Sequence, residues 1–171
     1  DLVLITLSNT ADLGLSFTAA RAELWSMIVV PLDADEAWSV LKDRRDITGG
    51  IWGFHGLAEK GGKWFGYFGA MTMDQYSRTE FILTNTNPVL YEVDLQTKSA
   101  SKIANRITEQ TDNRTWLVDA SGQVAVTLDY FGSQGSWTIR NASWQPLAKG
   151  NDPLGNIDLI GLGSAGDTVI Y

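Results

Sequence analysis

The 171-residue chain contains no cysteine. This absence excludes disulfide bonds and thiolate metal sites, and it removes cysteine from the candidate nucleophiles. It does not indicate a cellular compartment, because chains without cysteine occur in every compartment.

Histidine is nearly as scarce, since His55 is the only one. A serine nucleophile usually needs a histidine base, and a catalytic zinc site needs several histidine, cysteine or carboxylate ligands. The Gly-x-Ser-x-Gly elbow that carries the nucleophile of α/β-hydrolases does not occur either. We therefore predict no catalytic triad, no metal site and no cofactor, and we do not expect this chain to be an enzyme by itself.

Long apolar runs and net positive charge are also missing. No run reaches the roughly 18 apolar residues of a membrane-spanning helix, and Met27 to Val30 is only as long as a strand. The formal net charge is −7, and an acidic surface repels the phosphates of nucleic acids. We predict neither a membrane nor a nucleic acid as partner.

Short runs of β-forming residues, separated by turn signals, make up the chain. Such runs predict an all-β fold. The paired glycines of Glu59-Lys-Gly-Gly-Lys63 predict a hairpin between Ile51 to Leu57 and Trp64 to Met73. We interpret the segment from Asp33 to Lys42 as part of another hairpin rather than as a turn of helix.

Two kinds of hairpin alternate along the chain. In the first kind, a glycine-containing turn separates two apolar runs, as in Trp116-Leu-Val-Asp-Ala-Ser-Gly-Gln-Val-Ala-Val. In the second kind, an aromatic-led strand precedes a polar turn and a short strand, as in Leu90-Tyr-Glu-Val-Asp-Leu-Gln-Thr-Lys-Ser-Ala-Ser-Lys-Ile-Ala. One hairpin of each kind gives four strands, which is the composition of a propeller blade.

The first kind of hairpin begins at Ile51, Thr115 and Ile157, which are 64 and 42 residues apart. A blade takes about 40 to 50 residues, so the longer spacing predicts an insertion. We predict one partial β-propeller domain over residues 1–171, built from about three four-stranded antiparallel blades with boundaries near residues 50, 114 and 156.

A closed propeller has about four blades or more, so we expect this chain to be a piece cut at both ends. It begins with Asp1 rather than Met, which indicates a processed or excised product from which any signal peptide has been removed. An open array leaves blade faces and strand edges uncovered. We expect the piece either to self-associate or to be only marginally stable.

The segment Gly161-Leu-Gly-Ser-Ala-Gly166 matches the dinucleotide-binding pattern G-x-G-x-x-G. That pattern binds a pyrophosphate where it follows a strand and opens a helix. Here the strand-like run Asp167 to Tyr171 follows it. We therefore interpret the glycines as a hairpin turn.

Seven tryptophans are distributed along the repeats. Large flat side chains fill the space between blades well, and we expect most of them to pack there. The densest aromatic patch comprises Trp52, His55, Trp64, Phe65, Tyr67 and Phe68. Within it we predict that Trp52, His55, Trp64 and Tyr67 face a ligand.

Three segments carry a resemblance to a known family. They are Asp43-Arg-Arg-Asp-Ile-Thr-Gly-Gly-Ile-Trp-Gly-Phe, Trp64-Phe-Gly-Tyr-Phe-Gly-Ala-Met-Thr and Pro88-Val-Leu-Tyr-Glu-Val-Asp-Leu-Gln-Thr-Lys. The likeness continues through Trp116-Leu-Val-Asp-Ala-Ser-Gly-Gln-Val and covers most of the chain. These segments resemble the N-terminal propeller of bacterial prolyl-oligopeptidase-type serine peptidases.

In that family the propeller precedes an α/β-hydrolase domain that carries the catalytic Ser, Asp and His, and it restricts access to short peptides. The resemblance implies a non-catalytic domain that gates or positions peptide substrate for a serine peptidase domain absent from this chain. It also implies a periplasmic or secreted protein, with the cytoplasm as the alternative location. A different function class stays open, namely a stand-alone propeller-like module that binds carbohydrate or protein.

Overall fold

A computed structural model describes residues 1–12, 21–33 and 36–171 of the chain. These residues form strands and no helix, which confirms the predicted all-β fold. The same residues hold no helix that is long and apolar enough to cross a membrane. The strands are β1 (Leu2–Asp12), β2 (Arg21–Pro31), β3 (Trp38–Ser39), β4 (Ile47–Lys60), β5 (Lys63–Thr72), β6 (Asp74–Gln75), β7 (Phe81–Ile82), β8 (Val89–Asp94), β9 (Ala100–Ala104), β10 (Asp112–Val118), β11 (Val124–Phe131), β12 (Ser136–Asn141), β13 (Pro146–Asn151), β14 (Gly161–Leu162) and β15 (Val169–Ile170).

A long hairpin opens the fold, because β1 pairs antiparallel with β2 along its whole length. Side chains alternate between the two faces of a strand, and Leu2 and Leu4 of β1 pack against the core. β3 pairs antiparallel with β2. This pairing places a strand at Trp38–Ser39 within the segment from Asp33 to Lys42. Residues 34–35 of the segment lie outside the described residues, so its interpretation as a hairpin over its whole length stays a prediction.

The first meander consists of β4, β5, β8 and β9, which pair antiparallel in that order. Its inner strand β5 is buried from Gly66 to Met71, as the continuous apolar run in this segment predicts. A single parallel bridge between Trp25 and Gly50 joins β4 to the opening hairpin. The short β6–β7 hairpin lies between β5 and β8 and accounts for part of the predicted insertion.

Strand β4 is irregular, with three shifts of its register against β5. Gly50, Gly53 and Gly56 accompany these shifts with φ angles of 79°, 96° and 141°, which other residues rarely adopt. Such bulges increase the twist of a strand and redirect its side chains. Trp52 is consequently exposed, whereas the ring of His55 contacts β10.

The second meander consists of β10, β11, β12 and β13, which pair antiparallel in sequence order. The predicted hairpin with Asp119 to Gln123 as its turn forms between β10 and β11. Trp144 lies in the turn before β13, because the side chain of Asn141 accepts hydrogen bonds from the amides of Ser143 and Gln145 and closes the turn around it. Further along, β14 and β15 form a small hairpin. Gly163 and Gly166 belong to its turn, as predicted, whereas Gly161 begins β14.

One side-chain arrangement recurs in the turns of both meanders. Between β8 and β9, Asp94 Oδ1 accepts hydrogen bonds of 2.9 Å from the amides of Gln96 and Thr97. Asp119 after β10 and Asn141 at the end of β12 hold their turns in the same way. An Asp or Asn that bonds amides further along the chain replaces a backbone hydrogen bond of the turn. The repeat in the sequence therefore has a physical counterpart in the structure.

A buried cluster joins the two meanders through Ala58, Tyr67, Leu90, Trp116 and Val118. The contacts between the meanders are concentrated at β4 and β10, which are the first strands of each. Within the residues that the structure describes, the sheets do not close into a barrel or a propeller. The blade arrangement and its boundaries therefore stay predictions.

Candidate functional site

The four residues predicted to face a ligand are separated in the structure. Trp52 and Trp64 are each 44% exposed, but they line different depressions. Tyr67 is fully buried and His55 is half-buried, and both face the second meander. The four residues therefore do not form one surface, because the two tryptophans lie in separate depressions and His55 and Tyr67 lie between the meanders. The ligand role of these four residues stays a prediction.

His55 is held between the two meanders. Its Nδ1 lies 3.0 Å from the carbonyl oxygen of Trp116, and its ring meets the Trp116 indole edge-on at a centroid distance of 5.2 Å. A carbonyl oxygen only accepts hydrogen bonds, so Nδ1 carries the proton of the neutral ring. Nε2 is buried and has no hydrogen-bond partner among residues 1–12, 21–33 and 36–171.

Burial lowers the pKa of His55. The carbonyls of Trp116 and Trp52 and the carboxylate of Asp158 act in the opposite direction, because they favour the charged ring, but burial outweighs them. A Cβ atom added at Gly53 would lie 2.8 Å from Nε2. A side chain at position 53 would therefore collide with the imidazole ring.

Tyr67 belongs to a partly buried polar network with Glu92 and Lys60. Its hydroxyl donates a hydrogen bond of 2.8 Å to Glu92 Oε2, and Lys60 Nζ forms an ion pair with the same oxygen. Burial and the neighbouring Glu92 carboxylate raise the pKa of Tyr67, so the phenol keeps its proton and remains a donor. The network connects β4, β5 and β8, and its polar groups bond one another.

Trp52 lines a depression of about 320 Å³ together with Trp25 and Phe54. All three aromatic side chains are exposed, and none of the described residues that line this depression is charged. Specific ligand sites combine apolar area with a few placed polar groups. This surface therefore has apolar area but little that would orient a ligand.

Trp64 lines a larger cleft of about 750 Å³, which we call the tryptophan cleft. The cleft lies at one end of the first meander, where the β2–β3 connection, the β4–β5 hairpin and the β8–β9 turn meet. Its volume is within the range of about 300 to 1,000 Å³ that is usual for small-ligand sites. The lining includes Asp33, Glu36, Trp38, Leu57, Trp64 and Lys98.

Carboxylates and two cations, the terminal ammonium and Lys98, set the charge of the tryptophan cleft. The side chain of Asp33 is 79% exposed and lies 3.8 Å from the terminal ammonium of Asp1. Glu36 is exposed and forms no ion pair within the described part of the chain. The Lys98 ammonium lies 5.6 Å from the centre of the Trp38 ring, which is a cation–π distance.

Sequence reasoning identified Trp64 but missed its neighbours Trp38, Glu36 and Lys98. These residues come from connections that are distant in the chain, and no spacing rule links them. They meet because β2 bridges to β4 and β5 pairs with β8, which brings the three connections to the same end of the sheet. The only signal for this cleft in the sequence was the position of Trp64 in the densest aromatic patch.

A second polar cluster lies on the second meander around the buried Asp129. Its carboxylate accepts hydrogen bonds of 2.6 Å from Arg114 Nε and of 2.9 Å from Arg140 Nη1. The Trp144 ring lies over both guanidinium groups, with centroid distances of 5.1 and 5.9 Å. Because both carboxylate oxygens are engaged, this cluster ties β10, β11 and β12 together and leaves no free acid for chemistry.

No group of three or more histidine and carboxylate side chains converges on a metal site in the residues that the structure describes. Comparisons of the chain with protein-family models, curated proteins and solved structures find no match. The tryptophan cleft is therefore identified by its own geometry, namely two indoles, a mixed polar lining and enough volume for a ligand.

Proposed function

We propose that the chain is a section of a β-propeller in which the first and second meanders are neighbouring blades. The second meander is a four-stranded antiparallel sheet. The four strands of the first meander pair antiparallel in chain order within a seven-stranded sheet. Four antiparallel strands in chain order are the composition of a propeller blade. In this arrangement β1 to β3 belong to the blade before them, and β14 and β15 to the blade after them.

The observation that carries the proposal is the contact between the first strands of the two meanders. Blades are arranged around a central channel, so neighbouring blades approach each other most closely at their innermost strands. In a sandwich, two sheets instead cover each other face to face. The contact of His55 on β4 with Trp116 on β10 fits the radial arrangement.

The proposed role is to gate or position peptide substrate for a serine peptidase domain outside this chain. The resemblance to prolyl-oligopeptidase-type propellers supports this role, and exclusion of bulky substrates is a steric effect that needs no reactive group. The polar groups that sequence reasoning singled out are already engaged, His55 by Trp116 and Tyr67 by Glu92. The tryptophan cleft supplies the surface that contacts the peptide.

The test compares the complete parent protein with the 171-residue chain. A fluorophosphonate reagent reacts with the activated serine of a serine hydrolase. We expect the parent to be labelled and to cleave short peptides but not folded proteins, and we expect the chain alone to stay unlabelled. Labelling of the chain alone, or a parent reading frame without a Gly-x-Ser-x-Gly segment, would contradict the proposal.

The second candidate function is a stand-alone binding module for carbohydrate or protein. The tryptophan cleft favours it, because an indole face provides apolar area for a sugar ring, and Glu36 and Gln96 are placed to bond hydroxyl groups. A glycan array distinguishes the candidates. Glycan binding that the Trp64→Leu substitution abolishes would support the binding module. Absence of binding to every glycan on the array would favour the peptide role.

A further inference from the structure

We infer that the tryptophan cleft binds the side chain of a lysine or arginine of a peptide, with Trp64 beneath the cationic group. The inference rests on the proposed role of the cleft in peptide binding and adds the charge class of the side chain that it selects.

The two indoles of the cleft differ in how they are covered. Trp38 already carries a cation of its own chain, because the Lys98 ammonium lies 5.6 Å from its ring centre. Trp64 is 44% exposed, and no lysine or arginine of the described segments lies over it. The neighbouring Lys63 is directed to Asp94 at 3.5 Å instead. The ring of Trp38 therefore has a lysine of the chain as its cationic partner, whereas the ring of Trp64 has none among the described residues.

The charges beside Trp64 favour a cation over an anion. Glu36 has no ion pair within the described segments, and Asp33 remains largely exposed although the terminal ammonium lies near it. Lys98 offsets part of this negative charge, but its ammonium is directed to Trp38. The formal net charge of −7 adds a long-range attraction for basic peptides.

The shape of the lining favours a long side chain rather than a small cation. Leu57 is exposed, and together with the buried Leu95 it gives the cleft apolar lining. The methylene groups of lysine and arginine pack on apolar surface while the charged end reaches acceptors. A lysine stem on Leu57 would place its ammonium near Trp64 and within reach of the cleft carboxylates.

The test measures the affinity of the full chain for two peptides by titration calorimetry. One is acetyl-Gly-Lys-Gly-amide, and the other contains norleucine, which has a similar stem and no charge. We expect the lysine peptide to bind roughly 5-fold to 10-fold more tightly, which is the affinity equivalent of a cation–π contact. The preference should weaken as salt is added, because added ions screen the carboxylates.

Matched variants locate the preference. Trp64→Leu should abolish it, and Trp25→Leu, which removes a similarly exposed tryptophan outside the cleft, should leave it unchanged. Glu36→Gln should reduce it, and Glu80→Gln, an exposed glutamate elsewhere, should not. Circular dichroism checks that each variant is folded, and the exposed Glu36 gives a result even if the Trp64 variant does not fold.

Three outcomes would overturn the inference. In the first, both peptides bind with equal affinity and the Trp64→Leu variant binds neither. The cleft would then be a peptide site without charge selection, so the proposed function would stand and the inference would fail. Absence of binding by either peptide would remove the cleft as a peptide site, and the labelling and cleavage by the parent protein would then decide the gating role separately. Binding of oligosaccharides but not of peptides would assign the cleft to the carbohydrate module.

Discussion

At the residue scale, the surroundings of His55 determine its protonation state. One ring nitrogen donates to the Trp116 carbonyl, and the other is enclosed without a partner in the part of the chain that the structure describes. Burying a charge there is unfavourable, so the folded protein holds the ring neutral. The sequence marked His55 as unusual because it is the only histidine, but its position between two sheets depends on the bulges of β4, which composition does not reveal.

Acid is expected to destabilise the protein through His55. Its pKa is lowered in the folded state, so the unfolded chain takes up the proton first as the pH falls. The stabilisation is fully present above about pH 6.5, the value of the unfolded side chain, and decreases as the pH falls toward the folded pKa. Urea denaturation at about pH 7.5 and pH 5.5 measures this loss.

The control is His55→Gln, whose amide can donate to the Trp116 carbonyl but does not titrate. The pH dependence should be smaller in this variant. The carboxyl groups of Asp94 and Asp119 do not interfere in this interval, because hydrogen bonds from their turns outweigh burial and lower the pKa of each. Identical pH dependence in both proteins would show that His55 does not couple proton uptake to unfolding.

Removal of the buried carboxylate at Asp129 should destabilise the second meander. Asp129→Ala leaves Arg114 and Arg140 facing each other without their shared acceptor, and loss of one partner of a buried ion pair typically lowers the unfolding free energy by about 3 kcal/mol or more. Urea denaturation measures the change. Asp167→Ala, at an exposed aspartate, is the control and should have little effect. Equal stability of the two variants would mean that the Asp129 cluster contributes nothing to folding.

At the scale of the elements, the recurring Asp and Asn turns connect sequence to fold. Asp119 Oδ1 accepts hydrogen bonds from the amides of Ser121 and Gln123 and from the Ser121 hydroxyl. Asp119→Ala should lower the unfolding free energy by about 1 to 2 kcal/mol, since several hydrogen bonds of the turn are lost together. Asp119→Asn keeps a side-chain oxygen and should retain most of the stability. Thermal denaturation of both variants tests this, and an equal loss in Ala and Asn would argue against the hydrogen bonds as the cause.

Most strands could be predicted from sequence, because apolar runs and turn residues act locally. The hairpins of the second meander and the β8–β9 turn are examples, since each carries its own Asp, Asn or Gly signal. The irregular path of β4 could not be predicted, because three glycines in a strand-like run permit bulges without fixing where side chains point. The tryptophan cleft could not be predicted as a site either, since its lining is assembled by pairing between strands that are far apart in the chain.

At the scale of the whole molecule, the seven-stranded sheet ends in an edge strand that no described strand covers. β1 is the end strand of its sheet, and Val3, Ile5 and Leu7 alternate along it as exposed apolar side chains. An apolar edge of this kind pairs readily with another chain. We expect the 171-residue chain to self-associate.

Sedimentation velocity at increasing concentration measures this association. Ile5→Lys places a charge on the exposed face of the edge strand and should shift the chain toward the monomer. Thr10→Lys, on the same strand but outside the apolar stripe, serves as the control. A compact monomer at all concentrations, with high thermal stability, would contradict the expectation of an open array.

The measurement that tests the central claim most directly is an experimental structure of the complete parent protein. The account predicts that the first and second meanders are adjacent blades around one channel, with β4 and β10 innermost and a serine hydrolase domain over the channel. Two meanders packed face to face as a sandwich, or a complete protein without a hydrolase domain, would contradict it.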